Sequence, residues 1–373
     1  MLAALGITQI LGWGTAYFLP GVLGAAIEAD LGLPAGTAFA GIAILLGLAG
    51  ALAPRVGRAI DRHGARPAMA TGSCAFAAGL VLLAFAQGPA QAVAASLVMG
   101  VAGALALTEA ANAALAALGA EGARRRLGFL ALASGLSSAV TWPGLAALEA
   151  LWGWRGAVLA AAAIHLAVAL PLHLLCIPAA PRGARPARAP ATGPLPVRLR
   201  WLSAALTLQV LVGSAVLANM VALVQALGLE RGSAIWWAAL IGPAQVAARL
   251  LDVLGGGRFR AVTTASAALL LMPAALLLPL VVAGSAPAFV LAYGLASGVM
   301  SVMRPACLIE LHGTEGYATV AGRVMAPVTT AMALAPAAFA PLLAALGAEV
   351  ALAVAGLGSV GAFLLLRMAA RST

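Results

Sequence analysis

Lysine is absent from this chain of 373 residues, and charged residues of every kind make up only 9% of it. Without Lys, no phosphate-binding loop ending in Gly-Lys-Ser/Thr can form, so the sequence predicts no ATP site. The three cysteines, Cys74, Cys176 and Cys307, lie on apolar segments without the spacing of a disulfide or a zinc site. We therefore expect no metal and no bound cofactor. The sequence has no His/Asp/Glu cluster with metal-ligand spacing and no Ser or Cys beside a plausible base, so it does not indicate an enzyme.

Hydrophobic residues make up 63% of the chain, which is too much for a soluble globular protein. The arginines lie in short loops without aromatic neighbours, so the basic balance does not indicate nucleic-acid binding. Apolar runs of about twenty residues predict membrane crossings. The sequence thus predicts an all-α membrane protein with 12 transmembrane helices, near 5–27, 38–54, 68–86, 92–118, 127–150, 157–176, 201–224, 235–254, 261–283, 288–311, 319–345 and 349–368.

The segment 179–200 is rich in Pro and Arg and has no apolar periodicity, so it can neither span a membrane nor pack in a core. We interpret it as a cytoplasmic linker between an N-terminal six-helix bundle, 1–178, and a C-terminal six-helix bundle, 201–373. Basic residues occupy every alternate loop. By the positive-inside rule, both termini and the linker should be cytoplasmic.

The two bundles also share a pattern. A shift of 194 residues places Gly100 on Gly294, Gly128 on Gly322 and the loop 119–122 on 313–316, with helix boundaries superposed without gaps. Such identities arise easily in a chain rich in Ala and Gly, so the shared spacing of spans and charged loops carries the inference. It predicts two pseudo-symmetric bundles related by an axis along the membrane normal.

A short, densely charged loop follows the second span. It has Gly, three residues, an acid, a basic residue, one residue, Gly and then a basic residue, at Gly57, Asp61, Arg62, Gly64 and Arg66. This spacing resembles the signature loop of the major facilitator superfamily, except that Ala65 stands where an Arg is usual. The resemblance implies a bacterial-type secondary transporter in which this loop latches the two bundles together on the cytoplasmic side.

In such a latch, Asp61 would dock at the positive N-terminal end of helix eleven, near Thr319. Arg62 and Arg66 would orient the carboxylate or meet lipid headgroups, and Gly57 and Gly64 would allow a close approach and a tight turn. The alternative is that these are solvated charges placed only for topology. Arg323 and Arg249, both near the cytoplasmic boundary, suit a gate or a topological role.

Two charged residues lie inside predicted spans, where a charge is costly and usually functional. Glu109 lies in span four with Asn112 three residues on, and Arg304 lies at almost the equivalent place in span ten. We expect the two charges to face one central cavity, with Glu109 binding a proton and Arg304 holding an anionic group or neutralising Glu109. A permanent structural contact or snorkelling is the alternative.

Polar and aromatic residues form a stripe along span one, where Gln9, Trp13 and Tyr17 follow at intervals of four. In the resembled superfamily, helices one, four, seven and ten line the cavity, so Gln209 and Asn219 of span seven join these residues as candidate ligand contacts. Bonding between helices and an interfacial aromatic position are the competing interpretations.

The sequence predicts a secondary active transporter that moves a small molecule by alternating access, coupled to a proton gradient, as an exporting antiporter of a bacterial inner membrane. Uptake or exchange of a small, monocarboxylate-like organic anion is the alternative that Arg304 favours, and a non-transporting membrane sensor is a further one. We expect a monomer in contact with lipid, without nucleic acid or ATP as partners.

Overall fold

The computed structural model describes residues 1–34, 37–179, 193–255 and 258–371, with the side chains of 336, 337 and 340 left out. Within these ranges the chain is helical and contains no strand. Physical chemistry favours this outcome, because the hydrocarbon core of a bilayer offers no water to backbone N–H and C=O groups, and helices satisfy these groups internally.

The first half of the chain begins with a helix that contains a five-residue π-helical segment, Gly14–Phe18, and its last span contains a second, His165–Ala169. Two spans are interrupted, one at Leu107 and one at Leu136. The helices are Leu2–Trp13, Leu19–Leu31, Ala38–His63, Ala65–Ala84, Pro89–Ala106, Thr108–Ala116, Ala123–Gly135, Ser137–Ile164 and Leu170–Cys176.

The second half repeats this plan without the π-helical segments among its described residues. Its helices are Val197–Ala218, Met220–Ala226, Arg231–Ala239, Ile241–Leu254, Ala261–Val281, Ala286–His312 and Tyr317–Arg371. The linker expected at 179–200 lies mostly outside the described residues, since 180–192 are not among them.

Eleven stretches of the described chain are long and apolar enough to cross a membrane. One of them, Ala123–Cys176, has 54 residues and would be about 80 Å long as a single helix. That is more than twice the thickness of a bilayer's hydrocarbon core. Gly153 breaks it with φ 68° and ψ 175°, so the stretch makes two crossings. The twelve predicted crossings are thereby confirmed, and they are called spans 1 to 12 below.

Two compact units can be distinguished. Unit 1 comprises Met1–Glu121, Ala133–Gly193 and Thr314–Thr329, and unit 2 comprises Gly122–Leu132, Pro194–Gly313 and Thr330–Thr373. The beginning of span 11 thus packs with the first half of the chain, and the beginning of span 5 packs with the second. The predicted bundle boundaries at 178 and 201 stay a prediction.

Small residues let the helices within each unit approach closely. In unit 1, a Cβ added to Gly79 would lie 2.5 Å from the side chain of Met99, and in unit 2 a Cβ on Gly298 would lie 2.6 Å from the backbone oxygen of Gln245. Close packing through glycine is a general feature of helices in lipid, where apolar burial gives little driving force. Large apolar side chains such as Leu175 remain exposed, which suits a surface in contact with acyl chains.

Candidate functional site

The charged loop after span 2 is a sharp turn built on a glycine. Span 2 ends at His63, and Gly64 then adopts φ 83° and ψ 164° before the next helix begins at Ala65. A positive φ of this size is strained for any residue with a Cβ, so the turn requires glycine at this place. The turn leaves Asp61 in the last helical turn of span 2.

The Asp61 carboxylate binds the end of another helix. Its two oxygens accept the backbone N–H groups of Ala318, at 3.1 Å, and Thr319, at 2.6 Å. These N–H groups belong to the first turn of the helix that begins at Tyr317, where they have no partner within the helix and the dipole is positive. The docking geometry implied by the resemblance is therefore present in unit 1, and its role as a switch stays a prediction.

Arg62 and Arg66 form no ion pair with Asp61 within the described part of the chain, so backbone groups hold the carboxylate. Arg323, the other residue predicted to act in a gate, donates to the backbone oxygen of Gly193 at 2.8 Å.

Two glycines bring spans 2 and 11 into backbone contact beside Asp61. A Cβ added to Gly57 would lie 2.1 Å from the carbonyl oxygen of Ala318, and one added to Gly322 would lie 2.2 Å from that of Ala53. Neither position has room for a methyl group. The close approach expected for Gly57 thus has a reciprocal partner in Gly322.

A second acidic contact lies in unit 2, at the end of span 8. Arg124 forms an ion pair with Asp252 and donates to the Phe259 carbonyl and, at 3.0 Å, to the Thr264 hydroxyl. The side chain of Asp252 is only 6% exposed. The sequence shows an acid and basic residues here but not the signature spacing, so the pair could be found only from the structure.

Glu109 lies at the start of a helix segment inside span 4. The helix Pro89–Ala106 stops at Leu107, whose ψ of −163° is extended, and a nine-residue helix, Thr108–Ala116, begins directly after it. Glu109 is in the first turn of this second segment. A carboxylate in that place is favoured by the positive end of the helix dipole.

The stripe predicted on span 1 contacts this break in span 4. The Gln9 side-chain amide donates to the carbonyl of Ala106 at 2.8 Å, and the Trp13 indole donates to the Thr108 hydroxyl at 2.9 Å. Breaking a helix frees backbone groups that must find other partners, and Gln9 supplies one. The first contact holds the backbone at Ala106 and the second holds the Thr108 side chain, so the structure brings Gln9 and Trp13 to the residues just before Glu109.

The remaining predicted residues of unit 1 lie along the same helices. The Tyr17 ring meets the Trp13 ring edge-to-face, with centroids 6.1 Å apart. Asn112 is 3% exposed, one turn after Glu109. Contact of Tyr17 or Asn112 with a transported molecule stays a prediction.

Tyr317 is a buried residue beside the Asp61 contact that no sequence pattern singled out. It is 2% exposed, and its hydroxyl has no hydrogen-bond partner among the described residues. It is also the first residue of the helix whose next two N–H groups bind Asp61. A lone Tyr at a helix start carries no sequence signal for such a position.

In unit 2, Arg249 is 9% exposed and bonds to neutral oxygens, those of Ser301 at 2.9 Å, Ala131 at 3.0 Å and Gln245 at 3.3 Å. Arg304, which is half-buried, acts electrostatically on Arg249. Two cations that repel each other favour an anion between or beside them.

The two candidate residues of span 7, Asn219 and Gln209, differ in their hydrogen bonding. Asn219 occupies the break between Val197–Ala218 and Met220–Ala226, and its amide donates to Ala215 at 2.9 Å. Gln209 is buried, and its side-chain oxygen has no hydrogen-bond partner among the described residues. A common cavity facing both Glu109 and Arg304 stays a prediction.

The two π-helical segments of unit 1 are joined by a hydrogen bond of 2.9 Å between the Thr15 hydroxyl and the Nε2 atom of His165. The His165 ring stacks on Phe76 with centroids 4.9 Å apart. This geometry is that of a packed and bonded histidine joining spans 1, 3 and 6.

Comparison with known proteins identifies the family. A sequence model described as the Major Facilitator Superfamily matches residues 2–340, nearly the whole chain. The protein belongs to the Major Facilitator Superfamily. Members of this superfamily are transporters and not enzymes, so the chain is a multi-pass membrane transporter.

Solved structures of other members of the superfamily have the same fold. The human organic anion transporter MFSD10 (TETRAN) is 19% identical, with 98% of each chain covered and a TM-score of 0.77. The E. coli fucose:proton symporter FucP is 16% identical, with 99% of this chain and 98% of that chain covered and a TM-score of 0.76.

The proton:xylose symporter XylE is 14% identical, with 98% of this chain and 94% of that chain covered and a TM-score of 0.74. These structures share the architecture of this superfamily member. No curated protein matches its sequence significantly.

Proposed function

We propose that this transporter couples the movement of a small solute to protons, with Glu109 as the proton-binding group, and that it exports the solute in exchange for protons. The observation that supports the proposal is the place of Glu109 in the first turn of a helix segment inside span 4. An ionisable side chain is costly at such a depth and is usually kept for function.

The local structure suits a group that gains and loses a proton. The positive end of the Thr108–Ala116 helix stabilises a carboxylate, whereas surroundings of low polarity stabilise the neutral acid. Gln9 holds the Ala106 carbonyl and Trp13 holds the Thr108 hydroxyl, so the chain on which Glu109 follows is held in place. Discontinuous helices form substrate and ion sites in other transporters, which is a further argument for this place.

The relatives with the same fold support coupling to protons in general. Two of them, FucP and XylE, are named as proton symporters. We propose that the loop 57–66 faces the cytoplasm, because its arginines follow the positive-inside rule. The Asp61 contact would then close that side while the proton site is reached from the other.

The test is transport by purified protein in proteoliposomes with an imposed pH gradient. Glu109→Gln should abolish solute movement driven by the gradient while solute exchange without a gradient continues, because Gln resembles the protonated acid. Glu28→Gln is the matched control, since Glu28 is a carboxylate of the same unit that accepts the N–H of Ala38 at 2.7 Å. Gradient-driven transport equal to that of the unchanged protein would exclude Glu109.

The direction of coupling requires a separate measurement. For export in exchange for protons, an inward gradient of protons should drive solute outward, and a fluorescent pH probe should report protons moving against the solute. Movement of both in the same direction would make the protein a symporter and leave the role of Glu109 intact.

A second candidate is transport of a small organic anion, which the pair Arg249 and Arg304 favours. The hydrogen bonds of Arg249 go to neutral oxygens, which a carboxylate can replace. A relative of the same fold is named as an organic anion transporter. In a thermal-shift screen, small carboxylates should raise the melting temperature more than amines or neutral compounds of equal size, and Arg304→Gln should remove the difference.

A further inference from the structure

An open groove of unit 2 lies between spans 8, 9 and 10, beside the ion pair of Arg124 and Asp252. Its volume is about 340 Å³, and it is called the unit 2 groove below. Asp252 and Thr264 are its polar lining residues. The other lining residues are aliphatic: Ala248, Leu251, Ala267, Ala268, Leu271, Leu295, Ala296 and Val299. All of these residues and Arg124 belong to unit 2.

The walls of the unit 2 groove suit an acyl chain better than a polar solute. Leu251 is 66% exposed and Leu271 is 38% exposed, so large apolar side chains stand open along it. Its two polar lining groups already have a partner, because Arg124 bonds to the Asp252 carboxylate and, at 3.0 Å, to the Thr264 hydroxyl. A polar solute would therefore find mainly apolar surface, whereas an acyl chain loses nothing by lying on it.

Arginines surround one end of the unit 2 groove. The Arg124 guanidinium donates to the Phe259 carbonyl as well as to the two polar lining residues, so the loop after span 8 lies at this end. Arg258 and Arg260 flank Phe259 in that loop, and both are exposed. Hydrogen bonds of a single guanidinium thus connect the polar end of the groove to a loop that carries two further positive charges.

The acidic residues at this end do not neutralise the arginines. Asp252 pairs with Arg124, and Glu310 pairs with Arg260 at 2.9 Å. The Arg258 side chain forms no ion pair within the described part of the chain. Arg260 is 75% exposed and bonds to Glu310 through its Nε atom, so its terminal nitrogen atoms face away from this pair. The end of the groove therefore keeps a positive charge and donors for an anion.

Two exposed apolar residues indicate that this loop lies at the surface of the membrane. Leu254 is 72% exposed and Phe259 is 70% exposed, next to Arg258 and Arg260. Arginine beside an aromatic residue at the end of a span is typical of the membrane–water interface, where apolar groups contact acyl chains and guanidinium groups reach the headgroups. The unit 2 groove thus begins at the level of the headgroups and continues along the spans.

We propose that the unit 2 groove binds one anionic phospholipid, with an acyl chain along spans 8, 9 and 10 and the phosphate held by Arg258 and Arg260. Basic pockets between transmembrane helices bind anionic headgroups in other membrane proteins. A zwitterionic lipid would bring its ammonium group towards the same arginines, so its net attraction is smaller. A second copy of the chain would bring the same positive charges to this face, which disfavours it as the occupant.

The experiment is a lipid titration of the full chain, stripped of lipid in detergent, with bound lipids counted by native mass spectrometry. The probes are phosphatidylglycerol and phosphatidylcholine with identical acyl chains. The first bound phosphatidylglycerol should bind about 25-fold more tightly, since each arginine near an anionic lipid contributes a factor of about five and two arginines contact the phosphate. Equal affinities for the two lipids would overturn the proposal.

Arg258→Gln tests the contact with the headgroup. It should lower the affinity for phosphatidylglycerol about fivefold and leave that for phosphatidylcholine unchanged, whereas Arg258→Lys should keep most of the preference. The matched control is Arg55→Gln, since Arg55 is an exposed arginine of unit 1 that forms no ion pair within the described residues. An equal loss in Arg258→Gln and Arg55→Gln would show a general effect of surface charge and overturn the site.

Ala267→Phe tests the contact with the acyl chain, because its ring would fill the unit 2 groove. It should lower the affinity for the first bound lipid several-fold, whichever headgroup that lipid has. The matched control is Ala274→Phe, which lies two helical turns further on the same face of span 9 and outside the groove. Both positions are exposed, so both variants should keep the fold and its melting temperature. Unchanged binding in Ala267→Phe, or an equal loss in the control, would overturn the groove as the site.

A soluble competitor distinguishes a lipid from a free anion. Glycerol phosphate has the charged headgroup but no acyl chain, so at a concentration equal to that of the lipid it should leave phosphatidylglycerol bound. Displacement at that concentration would show that the arginines bind a soluble phosphate, and it would overturn the assignment to a lipid.

Discussion

Replacing Asp61 by Asn tests the contact between span 2 and span 11 with a change of a single charge. Asn keeps one carbonyl acceptor but loses the second acceptor and the negative charge at the helix end. A hydrogen bond to a charged group contributes about 1.5–3 kcal/mol, and the helix dipole adds about 0.3–1 kcal/mol. Asp61 is half-buried, so the lower values apply. We expect a loss of about 2 kcal/mol, which is roughly a 30-fold rise in the open population.

The assay is alkylation of a cysteine placed at Thr319 in a protein without the three native cysteines. Thr319 is 3% exposed, so a small maleimide that cannot cross the membrane reaches it only when the contact opens. When opening and closing are fast, the alkylation rate is proportional to the open population. Asp61→Asn should therefore raise the rate by about 30-fold.

Asp30→Asn is the matched control. Asp30 lies in the same unit and pairs with Arg155 at 2.7 Å, far from Thr319 in the sequence. It should change the alkylation rate little. A rate in Asp61→Asn within a factor of about three of the unchanged protein, or an equal rise in both variants, would refute the reasoning that the carboxylate holds the helix end.

Two other substitutions test the packing and the second acidic contact. Gly57→Ala should raise the alkylation rate at position 319 several-fold, because its Cβ would lie 2.1 Å from a backbone oxygen. Gly47→Ala is the control and should leave the rate unchanged, since a Cβ there has nothing within 4 Å. Equal rates in the two variants would contradict the close approach. Asp252→Asn should lower the thermal stability in detergent by about 3 kcal/mol, since it leaves the Arg124 guanidinium poorly paired. Adding Arg124→Gln to the Asp252→Asn variant should restore part of that stability, because it removes the poorly paired guanidinium. An unchanged melting temperature in Asp252→Asn would show that the ion pair contributes nothing.

The parts of the fold set by the bilayer could be predicted from the sequence. Apolar runs near twenty residues have to become spans, because lipid allows no alternative for the backbone. The loop around Asp61 could also be predicted, because the spacing of its glycines and charges matches the signature loop of the superfamily. Polar residues inside an apolar span could be recognised as candidates for the same physical reason.

The parts that depend on contacts between distant residues could not be predicted. The break at Leu107 has no Pro or Gly beside it, and it depends on Gln9 and Trp13, about 95 residues earlier in the chain. Likewise, the N–H groups of the two residues that follow Tyr317 are bound by Asp61, which lies 257 and 258 residues earlier in the chain. No pattern local to 105–109 or to 317 contains this information.

The two acidic contacts show why the sequence repeat concealed one of them. With the shift of 194 residues, Ala318 corresponds to Arg124, so each acid meets the beginning of an equivalent helix, span 11 for Asp61 and span 5 for Asp252. Asp61 itself would correspond to 255, and Asp252 lies three residues before it, about one helical turn back along span 8.

That displacement accounts for the different chemistry of the two contacts. Asp61, in the last turn of its helix, reaches the backbone N–H groups directly. Asp252 lies further from the corresponding helix end, and the long side chain of Arg124 spans the gap and also bonds to the Phe259 carbonyl. A contact made through backbone groups needs no particular side chain at 318, whereas one made through a guanidinium requires Arg at 124. Ala318 is only 4% exposed, so the test uses a smaller residue. Ala318→Gly should leave the Asp61 contact intact, and Arg124→Gln should abolish the one with Asp252.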